Sequence, residues 1–149
     1  MPYTNETIER FFADYTAGFN RAVEGTPDLE AIAAKFADCF VAASPQGVFC
    51  GENNDKLREV MDQGYANYRA LGAKSVTLRS LDINAIDDLH AMVRVGWSMR
   101  FEQPGNEQDI DFEVIYLVQV LADQPRVFAW VSGDEQAVLR ERGLLPESG

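Results

Sequence analysis

Little in this chain belongs to the residue types that announce a chemistry. Histidine occurs once, as His90, and cysteine twice, as Cys39 and Cys50. A single imidazole and two thiols without C-x-x-C spacing make no metal-ligand set, so no metal site is expected. No G-x-S-x-G elbow, H-E-x-x-H pair or glycine-rich phosphate loop occurs, and no cofactor is expected. Basic residues are scarce: 13 Lys and Arg stand against 24 Asp and Glu, a net charge of −11. Such a surface repels phosphate backbones, which excludes nucleic acid and anionic membranes as natural partners. The plain consequence of the acidity is solubility. No apolar run approaches the roughly 20 residues a membrane helix needs. The opening Met-Pro-Tyr-Thr-Asn-Glu has no basic region followed by an apolar stretch, so no secretory signal is expected. Without one, Cys39 and Cys50 are expected as reduced, buried thiols of a cytoplasmic protein. Repeats, linkers and low-complexity tracts are missing too.

What the chain does have is a long amphipathic hairpin, Ala91 to Leu121. Ala91, Val93, Val95, Trp97, Met99 and Phe101 alternate with Arg94, Ser98 and Arg100. After Gln103-Pro104-Gly105-Asn106 the phase flips: Ile110, Phe112, Val114, Tyr116, Val118 and Val120 alternate with Asp109, Asp111, Glu113 and Gln119. Alternate side chains point to opposite faces of a sheet, so this pattern predicts two strands sharing one apolar face. It also places Arg100 across from Asp109 or Asp111 on the polar face.

Helical spacing governs the first half. Ile8, Phe11, Phe12, Tyr15, Phe19, Ala22 and Val23 form one stripe on a helix capped by Thr4 or Asn5 and ended by Gly25. Thr26-Pro27 predicts a second start, with Thr26 as cap and Leu29, Ile32, Ala33 and Phe36 on the buried side. Residues 39–50 read as a small hairpin around Ser44-Pro45-Gln46-Gly47. Asn53 or Asn54 caps a third helix reaching Leu71, with Leu57, Val60, Met61, Gly64, Tyr68 and Leu71 on one face. Gly64 within it implies a close packing contact or a cavity wall. Residues 75–87 make a strand whose apolar phase switches near Arg79-Ser80, the mark of a β-bulge. Residues 126–132 make the last strand, with Phe128 and Trp130 on one face and Val127, Ala129 and Val131 on the other. A short helix ending near Gly143 and a loose tail, residues 146–149, complete the chain.

At 149 residues the chain is expected to be a single domain, with an ordered core of about 5–142. Helices before long antiparallel strands give an α+β fold, a curved sheet under a helical layer. Such a sheet forms a cone, and a cone leaves a cavity.

The pattern resembles the nuclear transport factor 2-like (cystatin-like) superfamily, with its SnoaL-like and ketosteroid-isomerase-like branches. The resemblance runs from about residue 5 to 142. It is carried by Phe11-Phe12-Ala13-Asp14-Tyr15, by residues 28–32 through Phe36-Ala37-Asp38, by Ser44-Pro45-Gln46-Gly47, by Gly51-Glu52-Asn53 and by Phe128-Ala129-Trp130. It implies a cone closed by three helices from the first half. Residue by residue, it implies a hydrogen-bonding tyrosine at Tyr15 and an aromatic wall at Trp130. The family's carboxylate base falls at Ser44 and its second, protonated acid at Tyr116. The chain thus keeps one polar group, lacks the base and has a phenol in place of the acid. Arg79 and Asp82 flank the bulge, and an inward turn would make them similar to the charged group of epoxide-hydrolase relatives; the ordinary reading is an outward ion pair.

The expected pocket comprises Tyr15, Phe19, Ser44, Phe49, Tyr68, Trp97, Tyr116 and Trp130. The expected function is binding of a small, largely apolar molecule. Alternatives are an isomerase, cyclase or hydrolase using Tyr15, Asp82 or Tyr116, and a dimeric interaction module with no ligand. Relatives of this fold pair through the outer sheet face, which implies a homodimer. His90, in an Asp-Asp-Leu-His turn, is expected to be exposed rather than catalytic.

Overall fold

The computed structural model describes residues 3–146. Ten elements follow one another: α1 (Asn5–Glu24), α2 (Leu29–Ala33), β1 (Phe36–Ser44), β2 (Gly47–Glu52), α3 (Asp55–Ala70), β3 (Ala73–Ala85), β4 (His90–Gln103), β5 (Asn106–Leu121), β6 (Gln124–Ser132) and α4 (Glu135–Glu141). The strands form one six-stranded sheet in the order β2-β1-β6-β5-β4-β3. All neighbours are antiparallel except β1 and β6, which run parallel. The fold is α+β, a curved open sheet with helices on its concave side.

The hairpin follows the parity of its sequence. Val93 pairs with Tyr116, Val95 with Val114, Trp97 with Phe112 and Met99 with Ile110, all on the inner face. Arg100 pairs with Asp109 on the outer face, with 3.8 Å between their charged groups. Curvature comes from register slips, which add a residue to one strand and bend it. One lies between Leu78 and Ser80, where the phase switch foretold it. It turns Val76 and Leu78 inward on one side, and Leu81 and Ile83 inward on the other. A second slip, between Leu117 and Val118, has no sequence signal. It corrects the expected faces of β6: Val127, opposite Val118, is fully buried and shares the inner side with Trp130, opposite Tyr116.

Helix α1 lies across the sheet. Thr4 caps it, accepting from the Thr7 amide in a reciprocal capping box. Ile8 and Phe12 are completely buried, each contributing roughly 1.5–3 kcal/mol of apolar transfer energy. Asn20 ties the helix to the edge strand: its amide nitrogen donates to the Val76 carbonyl and its oxygen accepts from the Val76 amide, both at 2.8 Å. These bonds serve strand groups that no further strand would pair.

Several local expectations are corrected. Thr26 does not cap α2; its amide bonds the Arg21 carbonyl to end α1, and Asp28 caps α2. On α3 the buried residue is Tyr65, while Val60 is 56% exposed. A Cβ on Gly64 would meet no atom within 4 Å, so neither a packing contact nor a wall explains it. Cys39 and Cys50 are exposed, not buried, because they sit on the outermost strand pair where no layer covers them. The final strand starts at Gln124, because Ala122 and Asp123 form the turn with positive φ and Pro125 already pairs with Val120. Of the tail expected to be loose, residues 147–149 lie outside the described residues.

Candidate functional site

Between the concave sheet and the helices lies a cavity of about 1190 Å³. Small-molecule pockets usually span about 300–1,000 Å³, so this one is roomy. It exists because α3 stands off the sheet: Leu57, Met61 and Tyr65 front the space rather than filling it. Helix α2 is too short, at five residues, to cover the remainder.

The inner end of the cavity is a continuous group of rings. Tyr15 lies 5.8 Å from Trp97 and 6.3 Å from Tyr116, and Phe19 lies 5.3 Å from Tyr65 and 6.0 Å from Tyr68. Trp97 and Tyr116 share the inner face, and the indole Nε1 donates to the Tyr116 hydroxyl at 3.2 Å. Toward β1, Trp130 stacks on Phe40 at 5.2 Å and meets Phe36 edge-on at 5.4 Å. Offset and edge-on rings of this kind contribute about 0.5–1.5 kcal/mol per pair beyond their buried area.

One carboxylate enters this apolar space. Glu135 is the first residue of α4, behind the capping Asp134, and it lines the cavity. The Tyr68 hydroxyl donates to its Oε1. Burial raises the Glu135 carboxyl above the ordinary value; the Tyr68 bond pulls the other way, and burial prevails. The phenols respond in kind. Tyr68 is pushed well above its usual range by burial and then by the Glu135 charge. Tyr15 is raised by burial and by its neighbour Tyr116, and Tyr65 chiefly by burial. Tyr116 is raised by burial, with the Trp97 bond opposing. All four are neutral donors at physiological pH. The chemistry available is therefore hydrogen-bond donation from phenols, acceptance or proton exchange at one carboxyl, and contact with aromatic faces.

Of the residues expected at a pocket, Tyr15, Phe19, Tyr68, Trp97, Tyr116 and Trp130 line this cavity together. Phe49 also borders it, at 60% exposure, and so belongs to the mouth. Ser44 does not line it; the hydroxyl bonds Gln46 within the β1–β2 turn. Asp82 is exposed on the outer face opposite Arg94, and Arg79 reaches outward to Asp111 at 3.4 Å. The bulge restores the inward phase at Leu81 and Ile83, which leaves both charged residues outside. His90 is on the outer face as well, between Asp87 at 2.7 Å and Gln119 at 3.1 Å. Among the described residues, no group of three or more His, Cys, Asp or Glu is placed to hold a metal ion. Sequence reasoning missed Glu135, since an acid in a helix's first turn reads as ordinary dipole chemistry. It also missed Tyr65, one position from the glycine that drew attention.

A curved, mostly antiparallel sheet with helices on its concave side is the fold of the nuclear transport factor 2-like class. The chain belongs to the family described as NTF2-like protein (DUF6841), whose model matches residues 5–135. Solved structures share the fold. An NTF2-like protein with a cystatin-like fold from Novosphingobium aromaticivorans is 14% identical, with a TM-score of 0.69, over 96% of this chain and 89% of that one. An NTF-2 like protein of unknown function from Shewanella oneidensis is 16% identical, TM-score 0.66, over 87% and 98%. A ketosteroid isomerase-like protein from Erwinia carotovora is 15% identical, TM-score 0.60, over 86% and 93%. No curated protein matches the chain. Among the described residues, no helix is long and apolar enough to cross a membrane.

Proposed function

We propose that this single domain binds a small, largely apolar molecule in its cone, and that it does so in the cytoplasm. The observation that carries the reading is the unfilled cavity of about 1190 Å³ fronted by aromatic side chains. Apolar surface left facing water in a volume this size is stabilised when a ligand displaces that water. The hydroxyls of Tyr15, Tyr68 and Tyr116 and the Glu135 carboxyl supply a polar end for orientation. The test uses Nile red, a neutral apolar dye. One equivalent should bind per chain and brighten, and Met61→Trp, which fills the space between α3 and the sheet, should abolish binding. No dye binding by the wild type, together with no small molecule released on denaturation and seen by mass spectrometry, would refute the reading.

A second reading, an isomerase, cyclase or hydrolase acting on the same ligand, is favoured by Glu135. A buried carboxyl held above its ordinary value beside phenolic donors is suited to proton transfer at neutral pH. It takes the place, in chemistry though not in sequence, of the base that Ser44 cannot supply. The ketosteroid isomerase-like relative shares the scaffold and lends the reading a precedent of kind only.

A homodimer through the outer sheet face is part of the proposal. Met92, Leu117, Ile115 and Val131 lie together there, with Met92 37% and Val131 52% exposed. An apolar group bordered by ion pairs such as Arg94–Glu113 is suited to cover by a second copy.

A further inference from the structure

The cavity carries more information about its occupant than its size and greasiness. Its three charged lining residues are Glu52, Lys56 and Glu135. Lys56 is on the first turn of α3, 77% exposed and 3.8 Å from Glu59, so its charge belongs to the solvent side. Among the described residues, no basic side chain forms an ion pair with Glu135; its partner is the neutral Tyr68 hydroxyl. Glu52, the last residue of β2, is exposed, so among the described residues the interior holds one carboxylate with no cation opposite it. Phe19, Tyr68, Tyr15 and Trp97 surround the same space, each ring within 6.4 Å of another. The faces of such rings carry negative quadrupole potential and attract cations, more strongly where water is excluded. The whole chain, at −11, draws cations toward it from solution.

Anion, aromatic faces and overall field share one sign of preference. From this we infer that the cavity selects a ligand bearing a protonated amine on an apolar body, with the ammonium seated between the Glu135 carboxylate and the surrounding rings. The apolar body extends toward Trp130 and Phe40, whose rings stack on each other. A neutral alcohol of the same shape satisfies the apolar wall and forfeits the charge-assisted bond. A carboxylic acid of the same shape meets like charge at Glu135 and is rejected. The inference rests on the cavity being a ligand site, and it adds the chemical class.

The experiment compares 4-phenylbutylamine with 4-phenylbutan-1-ol on the purified full chain at pH 7.5, by calorimetry and by quenching of tryptophan emission. The wild type is expected to bind the amine at least about tenfold more tightly than the alcohol, the scale of one charge-assisted bond in a dry site. Glu135→Gln, which keeps an acceptor for Tyr68, should bring the two within about twofold by weakening the amine more than the alcohol. Glu52→Gln, at the mouth, should keep the preference. Equal binding of amine and alcohol by the wild type overturns the inference and leaves the apolar-ligand reading standing. So does a preference that survives Glu135→Gln, or one that Glu52→Gln removes. Binding of neither compound, with no Nile red binding, overturns both.

Discussion

Tyr116→Phe tests the inner wall of the cone by deleting a single oxygen. The ring stays, with its contacts to Phe12 at 5.2 Å and Tyr15 at 6.3 Å, so packing is nearly conserved. What goes is the acceptor for the Trp97 indole, 3.2 Å away, on a residue only 6% exposed. A buried donor left without a partner costs about 1–3 kcal/mol, whereas one that finds water loses about 0.5–1.5 kcal/mol. A domain of this length loses about 2–4 °C of Tm per kcal/mol, so the fall should lie between roughly 1 and 12 °C. Where it falls reports whether water reaches the indole. Urea denaturation followed by circular dichroism, with Trp97→Phe and the double variant, closes the cycle. The coupling between the two sites should be about 0.5–1.5 kcal/mol. A coupling under about 0.3 kcal/mol would mean that the two groups do not interact, and the inner wall as described would be wrong.

Glu135→Gln should alter how stability depends on pH. Burial holds the Glu135 carboxyl above its ordinary value in the folded chain, so the folded state keeps this proton longer than the unfolded state. Stability is then lost as pH rises from the ordinary glutamate value through the raised one. The facing groups, Tyr68, Tyr15 and Tyr116, stay neutral across that window. The variant should match the wild type in acid and exceed it at pH 7 in urea denaturation; a variant less stable at both would contradict the assignment. Gly72 sits at φ +93, where a Cβ would come 2.3 Å from the Glu102 carbonyl oxygen. Gly72→Ala should therefore cost at least about 2 kcal/mol, while Gly64→Ala, facing open space in a helix, should gain about 0.5–1 kcal/mol. Similar effects of the two in thermal melts would refute this contrast. Light scattering should give twice the chain mass of 16.6 kDa, and Val131→Lys on the outer face should halve it. A wild-type mass near that of one chain at micromolar concentration would remove the dimer.

Local physics made much of the architecture readable. Alternation from Ala91 to Val120 determined two strands, their shared inner face and the setting of Arg100 against Asp109 or Asp111 on the other, because a strand offers each side chain only two directions; the register of the folded hairpin chose Asp109. The stripe from Ile8 to Val23 determined α1 and the side on which Tyr15 and Phe19 lie. The phase switch at Arg79-Ser80 marked a bulge but left the direction of Asp82 open; the register with β4, which sets it opposite Arg94, turned it outward. Tyr15 and Phe19 on the helix, and Trp97 and Tyr116 on the hairpin, border the cavity from the sides that these periodicities gave them.

Tertiary structure decided what depends on segments distant in the chain. The parallel union of β1 with β6 has no local signature, and it makes one sheet out of a small hairpin and four long strands. The slip at Leu117–Val118 reversed Val127, since it arises from how β6 meets both neighbours. Exposure of Cys39 and Cys50 followed from their place at the sheet's edge, which composition does not record. Above all, Glu135 became an interior carboxylate only because α4 folds back against Tyr68 of α3, 67 positions away in sequence. The chain's own periodicities fix which side of each element is apolar, for that is a property of neighbours along the backbone. Which charge ends up among those apolar sides is fixed by the assembled packing, because burial is a property of the whole.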